Sequence, residues 1–109
     1  RIPVRSKRQT LFVDPYTIIY AQSQRKKTDL ICIDRVISCS SPIGALAKEL
    51  PKIFYPLHRG YLINTLYLVA IRRFEAELIS GISIPIPAAA YQRVRRDLQK
   101  ISQGSSPGY

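Results

Sequence analysis

Apolar and polar positions alternate in short runs through the first half of the chain, and turn-formers separate the runs. Thr10-Leu11-Phe12-Val13 is β-prone and leads into Asp14-Pro15, a turn-initiating pair. Residues 17–22, with Ile18, Ile19 and Tyr20, predict a second strand. Residues 23–29 are polar, basic and aperiodic, which predicts a loop. Residues 30–33 and 36–39 form a candidate hairpin. With Asp34-Arg35 as its turn, Cys32 lies opposite Ile37 and Cys39 opposite Leu30. The thiols then face away from each other, and a disulfide is not expected.

The period changes at Pro42. Ile43, Leu46, Ala47 and Leu50 recur at helical spacing. Ser41 stands at a capping position, Pro42 suits a first turn and Pro51 ends the run, so a helix of about two turns is predicted over 42–50. Residues 54–71 return to strand chemistry until Arg72-Arg73 interrupts them. Strands are then predicted over 75–79 and 82–86, joined by Ser80-Gly81 as a two-residue turn. Pro85 donates no hydrogen bond, which places the second of them at a sheet edge. Residues 88–101 carry Tyr91, Val94, Leu98 and Ile101 on one stripe, with Arg93, Arg95, Arg96 and Lys100 around the rest. The fold class is mainly β (α+β), with one short helix mid-chain, one C-terminal helix and no βαβ alternation. The domain is expected over 8–101. Residues 1–7 look like a linker remnant, and the Ser-, Gly- and Pro-containing residues 102–109 like a flexible tail.

Composition adds a partner to this outline. A chain of 109 residues with 46% apolar content suits one folded domain. Seventeen Lys and Arg face seven Asp and Glu, a formal net charge of +10. That surplus favours a polyanion: nucleic acid first, an anionic membrane surface second. The plainer reading is a basic surface without a ligand. The chain has no Met and begins at Arg1, so it is expected to be an excised domain with something natural upstream. Cys32 and Cys39 are expected as buried thiols of a reduced, cytoplasmic protein. The polar N-terminus shows no signal peptide. The longest apolar stretch, 61–71, includes Asn64 and Thr65 and is too short to span a membrane.

Catalytic and cofactor chemistry find little support. The single histidine, His58, rules out a His cluster for metal, and two cysteines without a second Cys/His pair make no zinc site. No Gly-rich phosphate loop, Walker motif or nucleophile elbow is present. Glu75 and Glu77 would share one strand face, which more often means a solvated face than a catalytic pair. No enzyme activity and no cofactor are expected.

Three basic segments remain. Arg25-Lys26-Lys27, with Thr28, suits a loop that meets phosphate, against the plainer reading of a solvated loop tip. In His58-Arg59-Gly60-Tyr61, an Arg beside a Gly at a strand entrance suits contact with a base edge. His58 itself reads better as a satisfied, partly buried imidazole. Arg93 and Arg96, at i,i+3 on the last helix, are the third candidate; charge that merely solubilises a helix explains them equally well.

Phe54-Tyr-Pro-Leu-His-Arg-Gly-Tyr-Leu-Ile-Asn64 resembles the signature of the LytTR DNA-binding domains, and Leu50-Pro51 stands where that family ends its short helix. Thr17-Ile-Ile-Tyr-Ala-Gln22 is similar to the family's early strand, and Gly81-Ile-Ser-Ile-Pro-Ile86 to its later one. The resemblance covers about residues 8–101. It implies small antiparallel sheets packed in an elongated body and transcription regulation in bacteria. It also implies an upstream receiver domain phosphorylated by a sensor kinase, and double-stranded DNA carrying paired direct repeats. Loops would read successive major grooves and the domains would pair on DNA, with no membrane partner.

By matching position, the resemblance makes Arg25, Lys26, Lys27 and Thr28 the first contact, and His58-Arg59 the second. It gives Asn64 a structural, capping part. The family's third contact, a Ser-and-Arg segment, falls on Pro87-Ala88-Ala89-Ala90. Either that contact is lost or Gln92, Arg93 or Arg96 substitutes. A protein-interaction module of the same fold with weakened DNA specificity is therefore the alternative. A membrane-surface module is disfavoured by the narrow, Trp-free stripe of the last helix. An RNA binder is disfavoured by the lack of an RRM-type stacking motif.

Overall fold

The strands follow the alternating apolar positions, and the pairing shows which alternations were hidden. The computed structural model describes residues 1–105, with side chains to 101, and the chain divides into two units, Arg1–Leu68 and Val69 onward.

The first unit opens with an antiparallel hairpin of β1 (Ile2–Ser6) and β2 (Gln9–Val13). The stretch 1–7, which looked like a linker remnant, thus mostly forms a strand. Ile2, Val4 and Ser6 turn inward while Pro3 and Arg5 face solvent, and Val4 is 1% exposed. The flanking cations masked that short alternation. Five strands make the main sheet: β3 (Ile18–Gln24), β4 (Lys27–Cys32), β5 (Val36–Cys39), β6 (Phe54–His58) and β7 (Tyr61–Asn64). Their order is β5-β4-β3-β7-β6, all antiparallel. The β6 edge carries the exposed Pro56. Beyond β5, the Ser40 amide donates to the Arg5 carbonyl of β1 at 2.8 Å.

The loop expected over 23–29 contracts to a two-residue turn, Arg25-Lys26, because Gln24 pairs with Lys27. The β4–β5 turn also moves. Leu30 pairs with Ile37, and the Cys32 amide donates to the Arg35 carbonyl, centring the turn on Ile33-Asp34. Changing the partner of each residue by two positions leaves every side chain on its original face, so the apolar pattern cannot choose between these registers. Cys39 then lies opposite Thr28, and both cysteines are buried and free.

The mid-chain helix α1 (Ile43–Ala47) is shorter than the predicted 42–50. Pro42 occupies its cap and supplies no side-chain acceptor. At the other end the turns tighten, with Lys48 donating to the Ala45 carbonyl and Glu49 to that of Leu46. Leu46 packs into a core with Val4, Val13, Ile18, Leu30 and Ile37. Asn64 is fully buried: its Oδ1 accepts from the Leu66 amide at 2.9 Å and its Nδ2 donates to the Ile18 carbonyl at 3.0 Å. It caps the 3-10 turn Thr65–Tyr67 and ties it to β3.

The second unit holds a three-stranded sheet of β8 (Leu68–Arg72), β9 (Glu75–Leu78) and β10 (Ser83–Pro85), in the order β10-β9-β8. Pro85 stands on an edge strand, as its missing donor requires. The β9–β10 connection is three residues, Ile79–Gly81, rather than two, and the Leu78 amide closes it on the Ile82 carbonyl at 2.7 Å. Ser80 and Gly81 both take positive φ there. Arg72 bridges Glu75 and Glu77 across the sheet. A single 3-10 turn, Ala88–Ala90, precedes α2 (Tyr91–Ser105). Val94 and Leu98 are buried, and Tyr91 meets Phe74 edge-on at 5.4 Å. Of the expected tail, residues 102–105 continue α2 and residues 106–109 lie outside the described residues.

Candidate nucleic-acid interface

Two hairpin turns carry the cations singled out in the first unit, and the sheet sets them side by side. β3 leads into Arg25-Lys26, and Arg59-Gly60 leads into β7. Gln22 pairs with Tyr61, and the Ser23 amide donates to the Gly60 carbonyl at 2.8 Å. Neighbouring strands are about 5 Å apart, so the two turns emerge as one doubled tip. Arg25, Lys26, Lys27 and Arg59 are all exposed there, and none is ion-paired among the described residues. Repulsion among four unpaired cations is relieved by an anionic partner.

The backbone at this tip is specialised. Arg25 takes φ 59°, which closes a two-residue turn of the kind strand twist favours, in a conformation usually left to Gly or Asn. Gly60 needs no such freedom. A Cβ there would meet only the Ser23 Cβ, at 3.9 Å, an ordinary contact.

Behind the tip lies an aromatic floor. His58 is half-buried and stands edge-on to Tyr61 at 4.8 Å. Gln22 donates to the Tyr61 hydroxyl at 3.2 Å, and the Tyr20 ring lies 6.3 Å from that of Tyr61. Burial, with lesser contributions from Tyr61 and Asp29, pushes the Tyr20 hydroxyl above the usual tyrosine range. Burial likewise raises the Cys32 thiol, against the lowering influence of Arg35. Such thiols are poor nucleophiles.

Thr28 does not join the exposed cations. It is fully buried in β4, and its hydroxyl donates to the Ser41 carbonyl at 2.8 Å. Alternation along β4 turns Lys27 outward and Thr28 inward. That bond anchors the base of the turn to the entrance of α1. Gln24, exposed beside Arg25, joins the tip without having been marked in the sequence. Nothing in its residue type distinguished it.

The helix candidates belong to the second unit. Gln92, Arg93 and Arg96 are exposed on the first turns of α2. Arg93 lies 3.7 Å from Asp97. Both partners are more than a third exposed, so the pair contributes about 0–1 kcal/mol and exchanges easily for another anion. Ala88 and Ala89 stand exposed just before the helix and offer no donor beyond the backbone.

A family model described as the LytTr DNA-binding domain matches residues 8–99. Among solved structures, a LytTr DNA-binding domain from Bacillus cereus, titled as part of a methyl-accepting/DNA response regulator, superposes with a TM-score of 0.72. The alignment covers 90% of this chain and 94% of that one at 17% identity, so the likeness is one of fold. No curated protein sequence matches.

Proposed function

The chain belongs to the LytTR family of DNA-binding domains, and on that premise we propose that it is the output domain of a bacterial transcription regulator whose doubled basic tip reads duplex DNA. The supporting observation is the Ser23–Gly60 hydrogen bond, which holds two unpaired basic turns in register. A doubled tip of two adjacent strands suits a major groove about 12 Å wide. Arg59 contacts a base edge, while Arg25, Lys26 and Lys27 hold phosphates. His58 and Tyr61 back the Arg59 turn.

The site is a binding site and carries out no reaction. In the full regulator an upstream receiver domain controls access, and copies occupy paired direct repeats in the cytoplasm, pairing there on DNA. Among the described residues no helix is long and apolar enough to cross a membrane. At the third family contact, Gln92, Arg93 and Arg96 replace the missing basic segment and add phosphate contact. The exposed alanines before α2 favour a second reading, an interaction module of the same fold with weakened specificity.

Selection from a random duplex pool separates the two readings: a recurring motif supports sequence-specific binding, and no enrichment supports the interaction module. On the selected duplex, Arg59→Ala should cost about 1–3 kcal/mol and relax preference at one position. An equal loss on unrelated DNA would reduce Arg59 to a phosphate contact.

A further inference from the structure

We propose that the first unit carries a second phosphate site along β5, running away from its doubled tip, and that the ligand is the backbone of a second stretch of duplex DNA. A groove of about 300 Å³ has Ser6, Lys7, Gln9, Arg35 and Ser38 as its polar lining, beside apolar side chains of β2 and β5. Lys7 and Arg8 form the β1–β2 turn, and Arg35 stands at the β4–β5 turn. All three cations are exposed, and none is ion-paired among the described residues. Asp34, next to Arg35 in the chain, makes no bridge to it. Two guanidinium or ammonium groups beside two hydroxyls and a carboxamide form the donor set that holds phosphodiester oxygens. Lys7, at φ 57°, repeats the backbone device of Arg25: a long cation kept where Gly or Asn would sit without strain.

Register fixes where this groove lies. The groove runs along β5 from Ser38, which is opposite Asp29 and two residues from Lys27, to Arg35, which is opposite Cys32 and so about 17 Å from the tip. This step rests on the proposed function. If the tip enters a groove, the strands point away from that duplex and carry Arg35, the far end of this second groove, beyond its reach. The Arg35 end is then free for another segment, and the domain joins two duplexes.

The test is a sandwich. The chain is bound to an immobilised duplex, washed at low salt and offered a fluorescent duplex of unrelated sequence. Capture of the second duplex is expected. K7Q/R8Q/R35Q should retain the first duplex within about twofold and lose capture by about tenfold. R1Q/K48Q/K52Q, which removes the same charge elsewhere, should keep both. No capture by the unaltered chain overturns the inference. So does capture that survives in K7Q/R8Q/R35Q, because copies pairing with each other would then be the bridge. An equal loss in the control variant reduces the effect to bulk charge and overturns it too. Pyrophosphate that blocks capture at concentrations matching the duplex phosphate would make the groove a small-phosphate site instead. Failure to retain even the first duplex would sink the proposed function, and this inference with it.

Discussion

Arg25 holds its place against its own backbone. A side chain at φ 59° costs about 1–2 kcal/mol relative to right-handed backbone. Glycine would relieve that strain but lose more entropy on folding, about 0.5–1 kcal/mol. Arg25→Gly should therefore stabilise the fold by about 0.5 kcal/mol, seen as a raised urea midpoint, while weakening binding to every duplex. A gain in both would remove Arg25 from the interface. Asn64 is the opposite kind of residue, wholly structural. Asn64→Ala leaves the Leu66 amide and the Ile18 carbonyl without their partner and should lower stability by about 2–3 kcal/mol. The urea midpoint measures this, and a loss under 0.5 kcal/mol would mean that water replaces both bonds. At this scale the sequence was legible wherever chemistry is local. Asn64 and Arg59 could be marked from residue type and neighbours. Thr28 could not, because its inward turn follows from how far β4 extends toward Arg25.

Among elements, β3 and β4 connect stability to pH. Tyr20 on β3 and Cys32 on β4 both hold their protons more tightly folded than unfolded. Each is neutral when protonated, so its contribution is intact below the unfolded pKa and is lost as pH rises above it. For Cys32 that decline begins at about pH 8.5, and for Tyr20 at about pH 10. Urea midpoints should fall across this window, and Cys32→Ala should remove the lower step. A midpoint that rises with pH would contradict the assignment. Strand identity was largely visible in the apolar alternation, and pairing was not. The β4–β5 hairpin satisfies the same inward pattern in either register, and the β3–β4 turn lacks the Gly or Asn that usually announces one. Ser41 and Pro42 suggested a longer α1, but Pro42 took the cap position and left the helix end without a side-chain acceptor.

At the scale of the whole molecule, charge becomes a measurable slope. The three phosphate-holding cations of the tip, Arg25, Lys26 and Lys27, should contribute a log K against log salt dependence of about −2.7, or about 0.9 for each phosphate neutralised. Lys26→Gln should flatten that slope by about 0.9, and an unchanged slope would place Lys26 away from the backbone. The net charge of +10 announced a polyanion partner but not where it binds. The gathering of Arg25 and Arg59 depends on β3 meeting β7 across nearly forty intervening residues, a pairing that no local pattern encodes.

The two edge prolines, Pro56 on β6 and Pro85 on β10, have a further consequence. A sheet margin with an unbroken row of free amides is a template for another chain's backbone, and copies crowded along one nucleic acid meet margin to margin. Proline interrupts that row on these two margins. Neighbouring copies can then be brought together by the nucleic acid they share and still come apart when they leave it, rather than growing into a fibre.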